Sequence, residues 1–146
     1  MIKMKSKILL VEDNRDDEEL TLLALEEVNL AHLIYAVHDG VEALDYLFCR
    51  GDYAQRDAMS QPHLIMLDLK LPKMSGLEVL QRIKSDPRTH KIPVTVLTSS
   101  KEAPDIQRSY DLGANSYIVK PVDYDKFMET IKNLGLYWLV HNQPPV

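Results

Sequence analysis

Short apolar runs alternate with longer amphipathic stretches along this chain. Lys7 to Val11 is apolar and is halted by Glu12-Asp13-Asn14; a short apolar run bounded by turn residues predicts a buried strand. From Asp16 to Leu30, Leu20, Leu23, Ala24 and Val28 recur at three- and four-residue spacings among acids, which predicts an amphipathic helix. Leu33 to Val37 predicts a second strand, His38-Asp39-Gly40 a turn, and Val41, Leu44, Leu47 and Phe48 mark a second helix. The polar stretch from Arg50 to Pro62 predicts a connecting loop, long for a compact domain and so a candidate for a partner contact. Leu64 to Leu67 predicts a third strand ending at Asp68, after which Leu71-Pro72 turns the chain into a third helix, Gly76 to Lys84. Val94 to Leu97 predicts a fourth strand, and Pro104 to Leu112 a short helix with Gly113 placed for a left-handed C-terminal residue. Ser116 to Val119 predicts a fifth strand, and Asp123 a cap for a last helix carrying Phe127, Ile131 and Leu134 on one face.

Strand and helix thus alternate five times, the pattern of an α/β, doubly wound parallel sheet with helices on both faces. In such sheets ligands bind beyond the carboxyl ends of the strands, near the point where strand order reverses. Those ends carry Glu12 and Asp13 after strand one, Asp68 after strand three, Thr98 after strand four and Lys120 after strand five. Taken alone, Asp68 reads as a turn residue, Glu12-Asp13 as a helix cap and Lys120 as a surface charge. Their arrival at one rim changes that reading.

Composition narrows the classes. A chain of 146 residues, 45% hydrophobic and 27% charged, fits a single globular domain spanning residues 1–146. Its formal net charge of -5, without a Lys/Arg cluster, argues against nucleic acid as a direct partner. Cys49 stands alone, which excludes an internal disulfide and points to a cytoplasmic home. The N-terminal apolar run, Ile8 to Val11, is too short for an export signal, and no run approaches bilayer-spanning length. The five His residues show no metal-ligand spacing.

Three carboxylates at one rim repel one another unless a cation compensates. Oxygen ligands without His or Cys suit a hard ion, so Mg2+ is expected, with Mn2+ able to substitute. The ion would screen Asp68 and bind incoming phosphoryl oxygens, leaving an Asp68 oxygen free to attack phosphorus in line. Lys120 and the Thr98 hydroxyl would bind the remaining phosphoryl oxygens.

The strings KILLVEDN, LIMLDLKLPKMSG, PVTVLTSS and SYIVKPVD, in that order, resemble the successive signatures of the response-regulator receiver family across nearly the whole chain. That resemblance implies a (βα)5 flavodoxin-like fold and phosphotransfer from a sensor histidine kinase. It implies that Asp68 is the phosphoacceptor, that Glu12 and Asp13 hold the metal together with Asp68 and the Lys70 backbone carbonyl, and that Lys120 binds phosphate. Thr98 would be the switch hydroxyl, Tyr117 the aromatic switch, and the Lys120-Pro121 bond cis. Glu12 stands where many members carry Asp, which lengthens the arm to the metal. Lys70 and Ser100 occupy the positions two beyond the acceptor and two beyond the switch hydroxyl, which in the family modulate phosphate hydrolysis.

A receiver usually ends with its fifth helix, whereas here Leu134 to Val140 continues the apolar character, so residues 135–146 read as an extension and tail without an output domain. An exposed aromatic patch around Trp138 would favour a homodimer, while the same residues could instead cover the domain's own core. The long loop, the YWL sequence and the closing prolines resemble the small regulators paired with bacterial phytochromes and hybrid kinases. The expected role is therefore a phospho-accepting switch rather than a metabolic enzyme, read by a downstream protein or a histidine phosphotransfer protein. The competing readings are a haloacid-dehalogenase-like phosphatase, which wants an Asp where Lys70 stands, and a pseudo-receiver that binds partners constitutively.

Overall fold

The structure, a computed structural model, describes residues 6–145; the part of the export-signal expectation that rests on residues 1–5 lies outside them. Five strands, β1 (Ile8–Val11), β2 (Ile34–Val37), β3 (Leu64–Leu67), β4 (Val94–Thr98) and β5 (Ser116–Val119), form one parallel sheet in the order β2-β1-β3-β4-β5. Each is followed by a helix: α1 (Arg15–Glu27), α2 (Gly40–Phe48), α3 (Gly76–Ser85), α4 (Ala103–Asp111) and α5 (Tyr124–Leu136).

Alternation along each strand sends neighbouring side chains to opposite faces. Leu9, Val11, Ile65 and Leu67 enter a core with α2 and α3, including Leu44, Leu47, Leu80 and Ile83. Ile8, Leu10, Leu64 and Met66 enter a second core with α1 and α5, including Leu25, Phe127 and Ile131. Because both faces are covered, β1 and β3 are apolar throughout rather than alternating in polarity, as their sequence runs indicated.

Caps place the helix starts at the carboxyl rim. Asn14 Oδ1 accepts from the Asp17 N–H, Asp39 from Glu42, Ser75 from Glu78 and Asp123 from Lys126, each satisfying a donor that the first helical turn leaves free. Gly113 has φ 104, as expected at the end of α4.

The stretch from Arg50 to Pro62 is more ordered than a plain loop. Gly51–Tyr53 forms a 3-10 turn, and Tyr53 donates to Glu42 at 2.6 Å and meets the Tyr35 hydroxyl at 3.0 Å. Arg56 stacks on the Tyr46 ring at 3.8 Å and donates to the Ser60 carbonyl, while Gln61 donates to the Leu47 carbonyl. At the other end, Tyr137–His141 winds into one wide π-helical turn after α5. Contrary to an aromatic patch centred on Trp138, Trp138 and Leu139 pack against the α1/α5 core, leaving Tyr137 and Val140 about half exposed at 53% and 59%. The reason is apolar area: the indole is the largest surface available to close the open end of that core.

Candidate functional site

Chain reversal between β1 and β3 opens a cleft at the carboxyl rim, lined by Asp13, Asp17, Asp68, Lys70 and Lys120 among others. Asp68 follows β3, the central strand, and its N–H donates to the Val11 carbonyl at 3.1 Å, so sheet pairing continues to the acceptor itself. Glu12 is likewise held through its N–H to the Val37 carbonyl at 3.0 Å. Lys120 is fixed by its N–H to the Thr98 carbonyl at 2.7 Å. These bonds keep the site side chains on rigid sheet termini rather than on free loops.

Glu12, Asp13 and Asp68 each present a carboxylate oxygen within 4.8 Å of the others. Glu12 and Asp68 are buried, while Asp13 is exposed. Lys120 Nζ donates to Glu12 Oε1 at 2.7 Å, Asp17 Oδ2 at 2.8 Å and Asp68 Oδ2 at 2.9 Å. The Lys70 N–H reaches Asp68 Oδ1 at 3.2 Å. Burial pushes Glu12 up to about 7 despite its bond to Lys120. Burial would raise Asp68 too, but the Lys120 bond and charge, the Lys70 N–H and the Thr98 hydroxyl hold it below the ordinary carboxylate range. In the same way, burial alone would lower Lys120, and its bonds to Asp17, Glu12 and Asp68 reverse that direction. One ammonium thus meets three carboxylates, with Asp13 close beside two of them, and the surplus of negative oxygen, with no His or Cys donor in the cluster, fits a hard divalent cation.

Thr98 is fully buried, and its Oγ1 accepts weakly from the Ser100 N–H at 3.4 Å. Tyr117 packs its ring against the α2/α3 core and donates its hydroxyl to the Ser100 carbonyl at 2.9 Å. Glu12, Asp13, Asp68, Lys70, Thr98 and Lys120 therefore converge, whereas Tyr117 stands one loop away, linked through Ser100. Two contributions were missed from the sequence. Asp17 reaches Lys120, and its position one helical turn beyond Asp13 on a helix leaving the rim is the signal that could have shown it. Ser100 Oγ donates to Asp105 Oδ2 at 2.6 Å, tying the loop after β4 to α4, a contact no local pattern announces. The expected cis Lys120-Pro121 bond is corrected: the described peptide bonds are all trans. Strand pairing holds the Lys120 backbone, and its long side chain alone carries the ammonium inward.

A parallel five-stranded sheet with an acidic pocket, a strand-end Asp and a buried Lys defines a phosphorylation-accepting receiver. Residues 8–132 match the response regulator receiver domain, and the chain belongs to that family. It is 39% identical over 138 residues to the probable methanogenesis regulatory protein FilR2 of Methanothrix harundinacea, covering 94% of this chain and 86% of FilR2. It is 36% identical over 132 residues to response regulator Rcp1 of Synechocystis, covering 90% of this chain and 88% of Rcp1. The crystal structure of the phosphorylated cyanobacterial phytochrome response regulator RcpA superposes with a TM-score of 0.90 at 42% identity, covering 98% of this chain and all of that one, 100%. The Mn(2+)-bound form of Rcp1 superposes with a TM-score of 0.87 at 35% identity, covering 95% and 98%. Receivers of this kind bind a divalent metal at the acidic pocket and work with histidine kinases, and the phosphatase alternative finds no support. No described helix is long and apolar enough to cross a membrane.

Proposed function

We propose that Asp68 accepts a phosphoryl group from a sensor histidine kinase of phytochrome or hybrid type, in the cytoplasm, and that the change is read by a downstream protein or a histidine phosphotransfer protein. The observation that carries this reading is the Lys120 Nζ to Asp68 Oδ2 bond at 2.9 Å beside two further carboxylates. Glu12, Asp13, Asp68 and the Lys70 carbonyl would hold Mg2+, or Mn2+ in its place, and the ion supplies charge neutralisation for the transferring phosphoryl oxygens. Asp68 is the nucleophile, Thr98 and Lys120 bind phosphoryl oxygens, and Tyr117 changes position with the loop it bonds. RcpA, a phytochrome response regulator similar along its whole length, supports the phytochrome-type kinase. Incubation with acetyl phosphate and Mg2+ tests the reading: a mass gain of one phosphoryl group that requires the metal is expected, and no gain refutes it.

Metal binding carries its own pH signature. Glu12 sits at about 7 in the fold against an ordinary 4.5, so the folded state binds this proton more tightly than the unfolded state. Without a cation, that group's contribution to stability declines as pH rises from about 4.5 through about 7. A cation needs Glu12 deprotonated, so Mg2+ should raise the melting temperature clearly at about pH 8 and little at about pH 5.5. At a hundredfold excess over its dissociation constant the gain is about 2.7 kcal/mol. Equal gains at both pH values would show that no proton on Glu12 competes with the metal over this range.

The exposed Tyr137 and Val140, beside the packed Trp138, support a homodimer through the tail. Tyr137→Arg combined with Val140→Asp should sediment as monomer and lose the rise of melting temperature with protein concentration that a dimer shows, since both side chains are about half exposed. An unchanged dimer would place the interface elsewhere.

A further inference from the structure

Lys120 has no free donor. An ammonium carries three N–H groups, and here they go to Glu12, Asp17 and Asp68 at 2.7, 2.8 and 2.9 Å. To bind a phosphoryl oxygen it has to release one of these partners. Phosphorylation settles which: once an Asp68 oxygen bonds to phosphorus and the donor's leaving group departs with its electron pair, Asp68 is an acyl phosphate and no longer carries the full carboxylate charge that competes for Lys120. Glu12 and Asp17 remain.

We propose that Asp17 is a positioning residue for the Lys120 ammonium, forming with Glu12 a two-point hold that aims the third N–H at the transferring phosphoryl group. The inference rests on Asp68 being the acceptor. Held by Glu12 alone, Nζ at the end of four rotatable carbons could swing about a single bond. Asp17 supplies the second point from a different element, 103 residues away in sequence. It is well braced for this. Its N–H donates to the Asn14 cap at 3.0 Å, and Thr21, almost fully buried, donates to its carbonyl at 2.7 Å. At 25% exposure its carboxylate is partly shielded, so the bond to Lys120 is stronger than a surface pair.

The test separates two opposite signs. If Asp17 were only one more negative charge at the mouth of the cleft, Asp17→Asn would weaken repulsion of an anionic donor and speed phosphorylation. A positioning role predicts slowing, about tenfold to a hundredfold, in the rate of mass gain with acetyl phosphate and Mg2+. The wild-type protein is measured alongside: absence of label there refutes Asp68 as acceptor, whereas label there with Asp17→Asn equal or faster refutes only this proposal. Asp17→Ser is a second variant that keeps a helix-start residue should the amide disturb the fold. A double-mutant cycle with Lys120→Ala decides the route. If Asp17 acts through Lys120, Asp17→Asn adds no further slowing in that background. Persistent slowing there would mean that Asp17 acts through helix α1, and the proposal would fall. Glu19→Gln, exposed on the same helix and away from the cleft, should keep the wild-type rate within about twofold, and a matching loss would also overturn the proposal.

Discussion

Asp68→Asn is expected to abolish the phosphoryl mass gain altogether while leaving the chain folded. An amide oxygen is a far poorer nucleophile than a carboxylate, so the covalent acceptor is lost rather than slowed. The shape is kept. Asn can still accept from the Lys70 N–H, now at 3.2 Å, and from Lys120. The lost charge-assisted bond to Lys120 is offset by relief of repulsion with Glu12, so stability should change by under about 2 kcal/mol. Intact-mass measurement of wild type and variant side by side decides the matter, and a phosphoryl group on the variant would move the acceptor to another residue.

Gly76→Val is expected to be the most disruptive single substitution near the site. A Cβ on Gly76 would lie 2.3 Å from the Asp68 carbonyl oxygen and 2.5 Å from the Leu69 Cα, both backbone atoms that cannot rotate aside. The Gly76 N–H meanwhile donates to the Leu69 carbonyl at 2.8 Å, pinning the start of α3 against the segment that carries the acceptor. Forcing this contact apart should cost about 3 kcal/mol or more and shift Asp68 away from Lys120, lowering phosphorylation as well as the denaturation midpoint. Gly113→Ala is the milder comparison. There the added Cβ meets the flexible Lys84 side chain, and the left-handed φ of 104 costs about 1–2 kcal/mol. Equal losses in the two variants would show that the close approach at Gly76 is not what fixes the acceptor.

Sequence reading found the five strands because each is a short apolar run ended by polar residues, and it placed Asp123 and Gly113 correctly because caps and left-handed ends have local chemistry. It extended α1 to Leu30, whereas the helix ends at Glu27 and a 3-10 turn, Ala31–Leu33, takes over. Apolar spacing continues through both forms and cannot separate them. Site residues at strand ends were legible because topology alone brings them to one rim. Asp17 was not, since its role depends on how far Lys120 reaches across the cleft, a distance set by packing. The two readings of the tail stayed open in the sequence for a similar reason: Trp138 and Tyr137 are adjacent, and only the wide turn decides that one packs inward and the other faces out.

The lysine that completes the pocket lies after β5, the last strand in the chain, while the residues it grips lie after β1 and β3 and on α1. A ribosome has therefore to deliver the end of that strand before the pocket exists at all. Half-synthesised or locally unfolded copies lack the ammonium that meets the transferring phosphoryl group, so label should build up slowly on them and faster on copies folded through β5.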